Sequence, residues 1–121
     1  MLFPEKALVI ASSVEDVENL RCFLLENYYP VPDGWQDKFP SYFLTERNEK
    51  ETCYNISPCE PRGGTYYDKI GWCDVEWYHG TEYENEDPSW NYISVAEYIE
   101  MVYEMNGKAE TYSAIDVLSV L

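Results

Sequence analysis

The sequence predicts an α+β domain: a small antiparallel sheet of about four strands, in the order β-α-β-β-β-α, with two helices packed on one face. Three observations predict it. A β-branched apolar run opens the chain and passes at once into a capped amphipathic segment; alternating segments fill the middle; a second capped amphipathic segment follows them. With 121 residues, the chain suffices for one hydrophobic core and is too short for two, so residues 1–121 are read as a single domain.

Ala7-Leu8-Val9-Ile10-Ala11 is short, apolar and β-branched, as a buried strand should be. Ser12 with Glu15 three residues on reads as a capping box, and Glu15, Asp16 and Glu18 suit the positive end of a helix dipole. Val14, Val17, Leu20, Phe23 and Leu24 then recur at helical spacing and form one apolar face. Asn27, Pro30 and Pro32 end that helix.

Tyr28 to Pro40 carries three prolines and an Asp33-Gly34 turn signal and reads as a loop. Ser41–Thr45 reads as a strand, Glu46–Glu51 as a charged hairpin tip, and Thr52–Ser57 as the returning strand, its register open. Pro58 to Gly64 is a turn or loop. Ile70–Tyr78 alternates most clearly: Cys73, Val75 and Trp77 share one face, and Trp72, Asp74, Glu76 and Tyr78 the other. Gly80 to Pro88 is an acidic loop, and Trp90–Ile93 a further short strand. Ser94 with Glu97 repeats the capping box, and Val95, Tyr98, Ile99 and Val102 form the buried face of the second helix. Asn106-Gly107 supplies its left-handed stop. Ser113 with Asp116 would cap a short third helix over Ala114–Leu121, a strand being the alternative.

Charge is the feature that bears on function. The net charge is −15, from 23 acidic and 8 basic residues, yet 45% of the chain is apolar and 17% aromatic, so the acidity belongs to a folded domain. Between Ile70 and Gly107 there is no lysine or arginine, while carboxylates stand at Asp74, Glu76, Glu82, Glu84, Glu86, Asp87, Glu97, Glu100 and Glu104. A surface of one sign attracts the opposite sign, which points to a basic partner. Direct nucleic-acid binding is disfavoured because phosphate contacts need clustered Lys and Arg, and anionic membranes are disfavoured for the same reason. The longest apolar run, Ala7–Ala11, is far too short to span a bilayer, and no charged-then-apolar leader opens the chain. The expectation is a cytoplasmic protein with reduced thiols.

Beside this charge, the other candidate chemistries are weaker. Cys53, Cys59, Cys73 and His79 follow a C-x5-C-x13-C-x5-H spacing, but zinc knuckles close over two to four residues, about half that gap. Buried, unbridged cysteines are the plainer reading, and no metal or cofactor is expected. The segment Glu82–Asp87 lacks the spaced oxygen ligands and glycine of a calcium loop. His79 is the single histidine, no nucleophile has an activating setting, and Gly63-Gly64 is only a turn, so an enzyme is not expected. On an extended strand, residues two apart lie roughly 7 Å from each other on one face. Asp74 and Glu76, and Glu82, Glu84 and Glu86, have that spacing and would form rows of carboxylates comparable to backbone phosphates. Trp72, Tyr78, Tyr83, Trp90 and Tyr92 fall at positions expected to be exposed, whereas Trp77 and Tyr98 are expected in the core. Exposed Trp and Tyr anchor interfaces and receive arginine side chains.

Size, the acidic block from Asp74 to Glu104, and the layout resemble small acidic inhibitors of bacterial defence encoded by phages and mobile elements. That layout runs from an opening strand and capped helix (7–27) through a Cys-Tyr-Asn-Ile strand (53–56) to a closing segment (92–99). The class comprises anti-CRISPR and anti-restriction proteins, several of which mimic DNA. The resemblance implies a non-enzymatic inhibitor occupying the basic nucleic-acid groove of a nuclease or CRISPR effector in a bacterial host cell. Asp74, Glu76, Glu82, Glu84, Glu86 and Asp87 would then pair with groove cations, and Trp72, Tyr78, Tyr83 and Trp90 would anchor. The alternatives are an adaptor module that binds through its aromatics, and a small zinc-binding protein. The oligomeric state is left open.

Overall fold

A computed structural model of the chain describes residues 2–31, 51–58, 65–67 and 69–107. The fold is α+β: a five-stranded sheet carries two substantial helices on one face. Strand β1 (Ala7–Ala11) leads into helix α1 (Val14–Glu26); β2 (Thr52–Ile56), β3 (Thr65–Tyr67) and β4 (Ile70–Asp74) follow. A single helical turn α2 (Val75–Tyr78), a 3-10 turn (Pro88–Trp90), a two-residue strand β5 (Ile93–Ser94) and helix α3 (Val95–Met105) complete it. The order across the sheet is β3-β4-β2-β1-β5. The three pairings among β1 to β4 are antiparallel, whereas β5 lies parallel to β1, so the sheet is mixed rather than wholly antiparallel. The parallel edge follows from connectivity: β1 and β5 each feed directly into a helix on the same face, a β–α unit used twice.

Capping explains where the helices begin. Ser13, rather than Ser12, caps α1: its hydroxyl accepts from Asp16 N, and Asp16 Oδ2 accepts from Ser12 N at 3.0 Å. Val14, expected on the apolar face, takes the first helical position and is exposed. Ser94 and Glu97 form the expected reciprocal box, each at 3.0 Å, and Gly107 takes a left-handed φ of 73° after α3. The apolar faces meet Ala7, Val9, Tyr54, Ile56, Ile70 and Trp72 beneath them, burying Val17, Leu20, Leu24, Val95, Tyr98 and Val102. Each such aliphatic side chain contributes about 1.5–3 kcal/mol.

The other face of the sheet is covered as well. Leu8 and Cys53 are buried there under Tyr78, with Cys73, Val75, Tyr83 and Tyr92 packed around them. The strand expected over Ile70–Tyr78 is present as far as Asp74, and its remainder, Val75–Tyr78, is overturned. Its ladder to β2 ends with Val75 N donating to Glu51 O, and the chain then coils into α2 and carries Tyr78 back across Leu8 and Cys53. Burying a ring of that size stabilises by roughly 2–3 kcal/mol, more than a few added residues of edge strand. Alternation therefore misassigned the rings. Trp72 is 3% exposed in the helix-side core and Tyr78 is fully buried, while Trp77, expected inside, is 45% exposed. Where both faces of a sheet are covered, period-two alternation separates two interiors, not inside from outside.

The strand expected over Trp90–Ile93 is a 3-10 turn followed by β5. Strand β3 was not anticipated. The expected strand Ser41–Thr45, the hairpin tip Glu46–Glu51 up to its last residue, and the C-terminal element Ala114–Leu121 lie outside the described residues, as do Cys59, the Tyr28–Pro40 loop from Pro32 onward and the Pro58–Gly64 loop beyond Pro58. Among the described residues no helix is long and apolar enough to cross a membrane.

Candidate functional site

Residues 75–92 form the layer over the second face of the sheet and carry most of the predicted site. Its inner side is aromatic. The Trp77 and Tyr83 rings stack at 6.0 Å and 26°, and Tyr78 meets both edge-on. Polar ties close the remainder. Asn85 and Asn91 clasp each other: Asn85 N donates to Asn91 Oδ1 and Asn91 Nδ2 donates to Asn85 O, both at 2.8 Å. Asn85 Nδ2 also donates to the carbonyls of Lys6 and Trp90, fastening the loop beside the start of β1.

Glu84 is an internal strut. It accepts from Tyr92 Oη at 2.5 Å and from Gly80 N at 2.8 Å, and it lies 3.7 Å from His79 Nδ1. The Tyr92 hydroxyl, then the Gly80 amide, hold its carboxyl below the usual range. Burial first, and the neighbouring Glu84 carboxylate second, push the Tyr92 phenol up. Tyr92 adopts φ 55°, a left-handed conformation that costs a non-glycine residue about 1 kcal/mol or more. The Glu84 and His79 contacts hold it there, the two rings being 4.6 Å apart.

The other predicted carboxylates divide by position. Glu82, Glu86 and Asp87 are exposed on the outer side of the layer. Asp87 also accepts from Ser89 N at the 3-10 turn, which lowers its pKa. Lys6, the one cation reaching this segment among the described residues, donates to the carbonyl of Glu82 rather than to a carboxylate. Asp74 is half-buried where β4 meets α2 and Glu76 lies on that turn, so the two do not form an extended row. Glu97, Glu100 and Glu104 are exposed on α3, across the sheet from α2 and Tyr83. Glu97 serves its own helix as the capping residue, and Ser94 N lowers its pKa. The acidic block that is continuous in sequence is thus divided between two sides of the molecule.

Of the four anchor rings, Tyr83 is half-buried against the second face, and Trp90 is half-buried against Tyr98 in the helix-side core. Trp72 and Tyr78 are interior and cannot touch a partner. The ring that sequence reasoning missed is Trp77, and its signal was present: it sits between two carboxyl-bearing turns, Asp74–Glu76 and Glu82–Asp87.

No family model matches the chain. Curated proteins and solved structures likewise give no match.

The zinc spacing does not assemble among the described residues. Cys53 and Cys73 face each other across β2 and β4, whereas His79 is 58% exposed and turned toward Glu84 and Tyr92. Burial, with Cys73 second, pushes the Cys53 thiol up.

Proposed function

We propose that this protein is a non-enzymatic inhibitor that presents the 76–92 layer to the basic nucleic-acid groove of a larger protein. The observation that supports it is the division of labour within the layer. Aromatic stacking and the asparagine clasp hold it down, while Glu82, Glu86 and Asp87 remain exposed where no lysine or arginine of residues 70–107 can neutralise them. Like charges held close on a tied loop repel one another, and a cationic groove would turn that cost into attraction. The resemblance to acidic defence inhibitors makes a CRISPR effector or restriction nuclease in the bacterial cytoplasm the target class.

Inhibition of DNA cleavage by a panel of such enzymes tests this. One or more should be inhibited stoichiometrically, with relief by added salt or excess DNA. Replacing Glu82, Glu86 and Asp87 together by Gln, Gln and Asn should weaken inhibition by about tenfold or more. A wild-type protein inert across the panel, or a triple variant that inhibits equally well, would refute the proposal.

A second reading has its own observation. Trp77, half-exposed and stacked on Tyr83, is a preformed aromatic platform of the kind an adaptor uses. In that case Trp77→Ala abolishes partner binding while the triple charge variant retains it.

A further inference from the structure

On the opposite side of the sheet from Tyr78 and Tyr83, an open groove of about 400 Å³ runs between α1 and α3. Phe23, Val95, Ile99 and Tyr103 give it an apolar floor, and Asp16 and Glu26 of α1 stand on its rim. We infer that this groove binds an amphipathic, Lys- or Arg-bearing segment of a partner protein, independently of the acidic 76–92 layer.

Charge complementarity selects that occupant. Strands β1 and β5 are parallel and each turns straight into its helix, so α1 and α3 run in roughly the same direction, with both C-termini at one end. A helix C-terminus carries about half a negative charge, and cations belong there. Neither helix has a basic residue in its last turn; that turn holds Glu26 in α1 and Glu104 in α3. Two aligned negative helix ends, with carboxylates added to them, destabilise the free helices and favour a bound cation. Among the described residues Arg21 is paired with Glu18 at 2.9 Å, and its Nη2 also reaches Cys22 Sγ at 3.7 Å, on the groove wall away from the two helix C-termini. The floor then calls for an apolar stripe on the same segment, since charge alone would leave Ile99 and Tyr103 uncovered. An amphipathic helix laid in a groove meets both requirements.

Cys22 is exposed and lines the groove, which provides a local reporter. The probe is a short helical peptide of leucine and lysine with one apolar face; oligolysine of equal charge serves as control. Alkylation of Cys22 by iodoacetamide is followed by peptide mass mapping. The amphipathic peptide should slow Cys22 modification by about tenfold at a concentration that gives about 90% occupancy. Oligolysine should not protect. Ala96→Arg, at an exposed lining position, places bulk and positive charge in the groove and should weaken protection by about tenfold. Glu26→Lys should also weaken it, although the new cation favours the α1 C-terminus, so lost binding cannot be mistaken for lost folding. Gln at both Glu82 and Glu86, across the sheet, should leave protection intact. Equal protection by oligolysine, a Cys22 already unreactive in the free protein, or undiminished binding by Ala96→Arg and Glu26→Lys would overturn the inference.

Discussion

The two faces of the sheet are built differently. The helix side is closed by α1 and α3, whose aliphatic stripes interlock over β1, β2 and β4 in one large cluster. The opposite side is closed by residues 75–92, with a single helical turn, a few rings, an asparagine clasp and a glutamate strut in place of long helices. One layer is held by burial at helical spacing. The other is held by specific contacts that leave its acidic outer surface in water. An acidic surface imposed on a packed helix needs that helix's apolar face for stability; on a clasped loop it does not, and the carboxylates there are available to a partner.

Breaking each layer in turn sharpens that contrast. Trp72→Ala, in the helix-side core, should destabilise the whole domain by about 3–5 kcal/mol, measured by urea denaturation. Tyr78→Ala should cost less, roughly 2–4 kcal/mol, and the loss should be local. Hydrogen exchange should accelerate across 75–92 while α1 keeps its protection; equal acceleration in both layers would show a single cooperative core. Ser94→Ala removes one half of the capping box and should lower stability by about 1 kcal/mol.

Acid should open the second layer through Glu84. Its carboxyl is more acidic in the folded chain, so its contribution is present in full above the ordinary carboxylate pKa and is lost as pH falls through the lower folded value. Protection factors within 79–92, which allow for the slower intrinsic exchange in acid, should therefore fall on acidification below about pH 4. Glu84→Gln should show the lowered protection already at neutral pH. The smallest effect is expected at Tyr28, which occupies the left-handed position after α1 with φ 60° and its ring 93% exposed. Tyr28→Gly should raise stability by about 0.5–1 kcal/mol, seen as a higher Tm.

The same contrast explains what was legible in the sequence. Both helices of the first layer were readable because burial on one stripe writes a 3.6-residue period, and Ser94 with Glu97 marks its cap outright. Ser13 was missed by one residue because Ser12 and Ser13 each stand three residues before a carboxylate, Glu15 and Asp16, and the sequence does not say which serine caps. The second layer writes no period. Tyr78 and Trp77 are adjacent, and only the end of the β2 ladder decides which is interior. Strand β5, with two residues, is defined by its parallel neighbour rather than by its own composition. Of the site, the exposure of Glu82, Glu86 and Asp87 was readable from their loop setting, whereas the strut role of Glu84 depends on Tyr92, eight residues away.

The most direct test of the acidic layer is capture of its partner from a bacterial lysate at low salt, with a salt gradient, DNA competition and mass spectrometry. A nucleic-acid-binding enzyme that elutes at moderate salt, is displaced by duplex DNA and is not retained by the Glu82, Glu86 and Asp87 triple variant is the predicted result. A partner that resists salt, still binds DNA while captured and is retained by the triple variant would contradict the account.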